Sequence, residues 1–271
     1  MRELVLDHYG DGDGGLADRI LTALTGSGVD VDHLTIEDLT PVDQLHAGFG
    51  AATGHVLDRL GDLDGRRLLD VGSGIGGPAR IAAARLARSG GSVTGVDLTP
   101  DFVATARTLT ERVGLGRVAH FEVTDGERLP ADDAAFDAAM MIHVGMNVPD
   151  KRALFAEVRR ALVDGGRFVL YDQMRITDGT LPYPLPWAVD ERSSFVEGPR
   201  EYAAHLTAAG FEVEDVEDRT AAVAGPPPEG ADGQLTPGVL FGAEFRERIA
   251  NNILATQRGE LGAILVVARA V

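Results

Sequence analysis

Leu68-Leu69-Asp70-Val71-Gly72-Ser73-Gly74-Ile75-Gly76-Gly77 is the stretch on which the fold turns. Leu68, Leu69 and Val71 read as a short buried strand, a glycine-rich turn follows, and the apolar-periodic segment from about Pro78 to Arg88 reads as a helix. Strand, glycine turn and helix in that order form a nucleotide-binding start. Glycines suit the turn because the chain reverses sharply, in places at positive φ, and because a ligand approaches the backbone where a Cβ would collide. The free N–H groups of the helix start then face that ligand.

Two patterns overlap in this stretch. Gly72-x-Gly74-x-x-Gly77 fits a dinucleotide loop, and Asp70-x-Gly72-x-Gly74-x-Gly76 fits the acidic-x-G-x-G-x-G loop of S-adenosylmethionine (SAM) sites. A tight turn without a ligand also fits. Asp70 favours the second pattern, because a carboxylate beside the first glycine suits a cofactor bearing an ammonium and a sulfonium better than one bearing a pyrophosphate.

Outward from this stretch the chain alternates strand and helix. Ser92–Asp97, Val118–Val123, Phe136–Ile142 and Arg167–Tyr171 read as strands two to five, with helices over Phe102–Glu111 and Ala153–Leu162. That alternation predicts an α/β fold: a doubly wound, mostly parallel sheet with helices on both faces. Ligands of such sheets sit at the carboxyl ends of the strands, so the strand-end residues carry the chemistry. Strand two ends at Asp97, 21 residues beyond Gly76, the usual distance to an acid that holds two ribose hydroxyls. Capping of the following helix is its plain structural alternative. Strand three leads into Asp125-Gly126, able to accept from an exocyclic amine or simply to turn the chain. Strand four ends at Ile142-His143, which puts an imidazole beside the ligand, as a base or as a loop-fixing group. Tyr171 and Asp172 end strand five and are candidates for orienting a substrate.

Residues 1–60 precede the first core strand and read as a helical cap, with Leu16, Ile20, Leu21 and Leu24 at helical spacing, a turn over Asp38–Val42 and a helix near Ala51–Leu60. The formal charge of −17 and a pI near 4.7 argue against a nucleic-acid partner, which needs clustered Lys and Arg. No cysteine is present, which excludes disulfides and thiolate metal sites, and no other metal constellation stands out. The segment Met1–Asp7 is charged too early for a signal peptide, and no apolar run approaches a membrane span, so a cytoplasmic location is the expectation.

Taken together, Asp70-Val71-Gly72-Ser73-Gly74-Ile75-Gly76, Asp97, Asp125-Gly126 and His143 resemble the class I SAM-dependent methyltransferases, over most of the chain. The branch that looks nearest comprises bacterial small-molecule methyltransferases of the sarcosine/dimethylglycine N-methyltransferase and tocopherol types. The resemblance rests further on Val93–Thr99, His143–Lys151 and Leu162–Tyr171 with its Asp164-Gly165-Gly166 turn. It implies SAM as cofactor, S-adenosylhomocysteine as product, and a small-molecule substrate methylated on nitrogen, oxygen or carbon, as in secondary metabolism. By the same resemblance, Gly72, Ser73, Gly74 and Gly76 wrap the methionyl part with Asp70 beside them. Asp97 binds the ribose, Leu98 lies against the adenine, Asp125 takes the adenine amine with Gly126 beside it, and Ile142 and His143 face the methyl end. Tyr9, Gln44 and His46 become lid candidates, with His46 a second candidate base. A homodimer is compatible with this reading.

The resemblance also implies a Rossmann-like seven-stranded sheet with a reversed C-terminal β-hairpin. Phe211–Val216 and Ala263–Ala268 fit as its last two strands. The expected organisation is a cap over residues 1–60 and a core over 61–271, with helical insertions near 176–199 and 219–260, including a helix near Ala243–Gln257. The proline-rich Leu181–Trp187 loop is expected to hold Tyr183 and the only tryptophan, Trp187, over the mouth of the site; Asn147 completes the expected substrate contacts. Two rival functions remain: an NAD(P)-dependent oxidoreductase on the dinucleotide pattern, and a SAM-binding protein or non-methylating enzyme on the same fold.

Overall fold

Leu68 and Leu69 are adjacent in strand β1 (Arg67–Val71) and fully buried, yet they belong to different apolar clusters. Side chains alternate across a strand, so β1 must be covered on both faces. The computed structural model describes residues 15–124, 128–223 and 245–271. It shows β2 (Ser92–Asp97), β3 (Ala119–Val123), β4 (Phe136–Ile142), β5 (Leu162–Arg175), β6 (Phe211–Asp218) and β7 (Leu261–Ala270) joined to β1 in one seven-stranded sheet, ordered β3-β2-β1-β4-β5-β7-β6. Strand β7 runs antiparallel to β5 and β6, and the other pairings are parallel. The α/β sheet with its reversed C-terminal pair is the one expected.

Among the described residues, three helices precede the sheet: α1 (Leu16–Gly26), α2 (Ile36–Asp43) and α3 (Phe49–Leu60). Those that follow include α4 (Gly77–Leu86), α5 (Pro100–Arg112), α6 (Lys151–Ala161), α7 (Pro199–Ala208) and α8 (Phe245–Gln257), with a single helical turn at Thr220–Val223 between β6 and α8. One face of the sheet packs Leu68, Val93, Met140 and Val169 against Val56 and Leu57 of α3, Ala82 and Leu86 of α4 and Ala106 of α5. The other packs Leu69, Met141, Phe168 and Leu170 against Phe155 and Val158 of α6 and Tyr202 and Leu206 of α7. Leu16, Ile20 and Leu24 of α1 close on Phe102 and Leu109 of α5, which seats the cap beside the glycine turn.

Two local expectations are corrected. The expected turn at Asp38–Val42 is part of helix α2, started by a reciprocal cap in which Thr35 Oγ1 accepts the Asp38 N–H and the Asp38 carboxylate accepts the Thr35 N–H. Strand β5 continues four residues past Tyr171 because β7 pairs with it as far as Arg175↔Leu261. Tyr171 and Asp172 therefore lie inside the strand rather than at its end.

A candidate active site at the carboxyl ends of the strands

The strand order reverses at β1, with β2 and β3 laid down on one side and β4 and β5 on the other, and this switch point opens a crevice at the carboxyl ends of the parallel strands. A cavity occupies it. Its floor includes Gly72, Ser73 and Gly74 after β1, Asp97, Leu98 and Thr99 after β2, and Ile142 and His143 after β4.

The glycines divide the work of the turn. Gly72, Gly74 and Gly76 all adopt positive φ, of 73°, 54° and 85°. A Cβ at Gly72 would stand 2.3 Å from Val144 Cγ2, and one at Gly76 would stand 2.8 Å from the Phe121 ring, so these two are required by packing. At Gly74 the nearest atom is Leu45 Cδ1 at 3.9 Å, which leaves its face open to a ligand. Gly76 does not line the cavity, whereas Ser73 does; the Ser73 hydroxyl is buried without a partner among the described residues. Gly77 lets α4 meet the cap, since a Cβ there would lie 2.3 Å from the Asp43 carbonyl oxygen.

Asp97 ties the turn to β2. Its Oδ2 accepts the Gly74 N–H at 2.8 Å and its Oδ1 accepts the Thr99 N–H at 2.9 Å; burial raises its pKa above the carboxylate norm. Each carboxylate oxygen keeps a further lone pair for a ligand hydroxyl. Asp70 sits behind the turn rather than in the cavity wall. It is fully buried, its Oδ2 has no partner among the described residues, and burial together with Asp97 pushes it up to about 8. A nearby ligand cation would favour its ionised form.

The cap reaches the cavity through Asp43, Leu45 and His46. Arg80 of α4 is entirely buried and donates to Asp43 Oδ2 at 2.9 Å, to the Ile75 carbonyl at 2.8 Å and to Thr110 Oγ1 at 3.1 Å. Gln44 is buried beneath the cap rather than in the cavity wall. Its Nε2 donates to Asp43 Oδ1 at 2.8 Å, and its Oε1 accepts from Thr53 Oγ1 at 2.8 Å and lies 3.1 Å from His46 Nε2. His46 Nδ1 lies 3.2 Å from the Ala47 carbonyl, so both ring nitrogens face protein partners, and burial pushes the ring down to about 4.

His143 differs. It lines the cavity at a φ of 55°, uncommon for a non-glycine residue, with its N–H held by the Tyr171 carbonyl at 2.8 Å. Its Nε2 is buried without a partner among the described residues, and burial holds the ring neutral, well below the usual histidine range. The His143 ring lies 5.8 Å from that of His46 and 5.3 Å from that of Tyr171.

Tyr171 and Asp172 do not line the cavity. The Tyr171 hydroxyl donates to the Ala47 carbonyl at 3.2 Å, and Asp172 Oδ2 accepts the Gly145 N–H at 2.7 Å and the Tyr202 hydroxyl at 2.9 Å. Trp187 and Asn147 do line it, whereas Tyr183 packs behind, against the cluster of Met146, Leu181, Leu185 and Trp187. Tyr9, Asp125 and Gly126 lie outside the described residues.

Residues 69–170 match the methyltransferase domain family. Over that stretch the chain is similar to class I SAM-dependent methyltransferases. It is 39% identical over 168 residues to 24-methylenesterol C-methyltransferase 2 of Oryza sativa subsp. japonica, covering 58% of this chain and 44% of that one. It is 31% identical over 189 residues to the 27-O-demethylrifamycin SV methyltransferase of Amycolatopsis mediterranei, covering 65% and 66%. The chain thus spans less than two thirds of either relative. A geranyl diphosphate C-methyltransferase of Streptomyces coelicolor, solved with Mg2+, geranyl diphosphate and S-adenosylhomocysteine, superposes with a TM-score of 0.66 at 20% identity over 82% of this chain and 80% of that one. At that identity the likeness is one of fold.

The residues of the cavity fit SAM, the cofactor of those methyltransferases. Gly74 is open to the cavity, Asp97 has spare acceptor capacity, and three buried polar atoms, at Asp70, Ser73 and His143, have no partner among the described residues. Sequence reading missed Arg80, Met146 and Phe102, the last two in the cavity wall. For Arg80 a signal existed: an arginine at a position where Pro78–Leu86 is otherwise apolar except for Arg85.

Proposed function

We propose that this protein transfers a methyl group from SAM to a nitrogen, oxygen or carbon of a small molecule. The observation that carries the reading is one cavity floored by the open face of Gly74, the Asp97 carboxylate and the neutral imidazole of His143. SAM supplies an electrophilic methyl carbon on a sulfonium, so the protein's task is alignment, exclusion of water and, where the acceptor carries a proton, its removal. Asp97 and Ser73 hold the cofactor from β2 and the glycine turn, while Leu45 and His46 of the cap shield it from water.

Of the two candidate bases, His143 is the better placed. Its Nε2 has no partner among the described residues and can take a proton from the acceptor, whereas both nitrogens of His46 are engaged within the cap. His46 is then a positioning group. The reading includes a cap over residues 1–60 on a core over 61–271, a cytoplasmic location, no nucleic-acid partner and a homodimer as an admissible assembly. Among the described residues no helix is long and apolar enough to cross a membrane, and no cluster of acidic or histidine side chains is arranged to hold a metal ion.

Incubation of the full chain with methyl-labelled SAM and a metabolite extract tests the proposal. Label in a small-molecule product supports it. Cofactor binding with no labelled product across broad extracts would instead favour a non-methylating enzyme on this fold.

A further inference from the structure

Beyond the cofactor floor, the cavity is walled by the loop carrying Val144, Met146 and Val148, by Pro186 and Trp187 of the proline-rich insertion, and by Phe245 at the start of α8. Among the described residues, the polar groups on this side are the imidazoles of His46 and His143 and the amide of Asn147. Both imidazoles are neutral through burial.

The charges nearest this wall are committed behind it. Lys151, the only lysine of the chain, is buried, and its Nζ donates to the Val148 carbonyl at 3.0 Å and the Phe195 carbonyl at 2.5 Å, with Glu197 at 3.5 Å. Asp172, also buried, holds the other end of the same loop by accepting from Gly145 N–H and from Tyr202. Gly145 must be glycine there, since a Cβ would lie 2.2 Å from the Tyr202 hydroxyl oxygen. The loop is thus fixed at both ends by buried ionisable side chains, with Met146, Asn147 and Val148 left facing the cavity. Phe195 N–H donates to the Met146 carbonyl at 2.9 Å, and Trp187 Nε1 donates to Ser194 Oγ at 3.0 Å, which ties the insertion to the same frame.

Other charges that reach the cavity lie elsewhere on its rim. Asp43 is paired with Arg80. Glu157 accepts from Arg160 at 2.8 Å and from Leu129 N–H at 3.2 Å. Asp97 serves the glycine turn, and Arg128 follows β3 next to Thr124, whose N–H donates to the Asp97 carbonyl, at the cofactor end. An acceptor with a formal charge would leave water at the Met146–Trp187 wall without meeting a counter-charge among the described residues, a loss that apolar contact does not offset.

We propose that this subsite takes a neutral, largely apolar acceptor that presents a single hydroxyl-type group to His143, and that Lys151 and Asp172 are positioning residues for the wall that selects it. The proposal deepens the methyltransferase reading and rests on it for the word acceptor; its binding test does not.

Trp187 is the only tryptophan and lines the subsite, so its emission reports occupancy directly. Three probes of one shape, para-heptylphenol, para-heptylbenzoate and para-heptylbenzylammonium, would be titrated into the full chain with and without S-adenosylhomocysteine. The expected result is saturable quenching by the phenol at a Kd about tenfold or more below that of either ion. Equal or tighter binding of either ion, or no saturable response to the phenol, overturns the proposal. Asp172→Ala is expected to weaken phenol binding about fivefold or more while S-adenosylhomocysteine affinity stays within about twofold, and Asp172→Asn, which keeps an acceptor for Gly145 N–H, to restore it. Should Asp172→Ala not fold, Tyr202→Phe and Lys151→Met read the same wall. Unchanged phenol affinity and Trp187 emission in these variants overturns the positioning role. Phenol selectivity without any binding of S-adenosylhomocysteine would support the subsite and sink the methyltransferase reading.

Discussion

Asp97 Oδ2 accepts the Gly74 N–H at 2.8 Å, joining the end of β2 to the one glycine of the turn whose face is open to the cavity. A ligand held by Asp97 is thereby set against Gly74. Asp97→Ala is expected to weaken S-adenosylhomocysteine binding by about 1–3 kcal/mol, the loss typical of charge-assisted hydrogen bonds. Calorimetric titration reads this, and unchanged affinity would remove Asp97 from the site.

The two glycines of the turn should separate packing from binding. Gly74→Ala costs about 1–2 kcal/mol for its left-handed backbone, but its Cβ meets no atom closer than 3.9 Å, so the chain folds and the cofactor is displaced. Gly72→Ala adds a collision with Val144 at 2.3 Å, a further cost on the order of 1–3 kcal/mol. Urea midpoints paired with titrations check the contrast. If Gly74→Ala binds S-adenosylhomocysteine as the parent does, no ligand approaches that face.

Arg80 and Asp43 form an ion pair with both side chains fully buried. Removing one partner strands the other, so Arg80→Met is expected to cost about 3–5 kcal/mol in urea unfolding. The double change with Asp43→Leu should recover part of that loss. A single variant with a parent-like midpoint would show that the pair does not hold the cap.

The pH dependence has a definite sign. Asp70, pushed up to about 8, and Asp172, pushed up to about 7, hold protons in the folded chain that the unfolded chain releases, so their stabilisation is lost as pH rises toward those values. His46, down to about 4, and His143, also lowered, act oppositely, and their stabilisation is lost as pH falls below the ordinary 6.5. The two effects oppose below 6.5, and above it the carboxyls act alone. The ligand-free urea midpoint should therefore fall from about pH 6.5 to 8, less steeply in Asp70→Asn. A rise over that window would contradict the burial of these carboxyls.

His143→Ala should lower methyl transfer by about 10²–10⁴-fold for an acceptor that must lose a proton, with little change in S-adenosylhomocysteine affinity. His46→Ala should raise the Kd for that ligand more than it lowers turnover, because its ring nitrogens serve the cap. Labelled-methyl assays beside titrations distinguish the two. Equal loss of turnover and affinity in His143→Ala would make it a structural residue.

The sheet was legible because Leu68–Val71, Val93–Asp97 and Phe136–Ile142 are short apolar runs spaced by helical periodicity, and burial on both faces demands that composition. Strand-end positions then exposed Asp97 and His143. The cap resisted. Helix α2 starts on a Thr35–Asp38 cap and holds Pro41, whose composition reads as a turn. Asp172 read as a substrate group because the extent of β5 is set by pairing with β7, some ninety residues away, which no local pattern reports. Arg80 stands out locally as a charge in an apolar run, but its partner Asp43 lies in the cap, 37 residues earlier, so the pairing itself was not legible.

Titration of the full chain with S-adenosylhomocysteine, against NADH as control, tests the central claim most directly. The expected result is saturable, one-to-one binding of S-adenosylhomocysteine that Gly74→Ala and Asp97→Ala both weaken, with no heat from NADH. Binding of NADH alone, or S-adenosylhomocysteine binding indifferent to both substitutions, would contradict it.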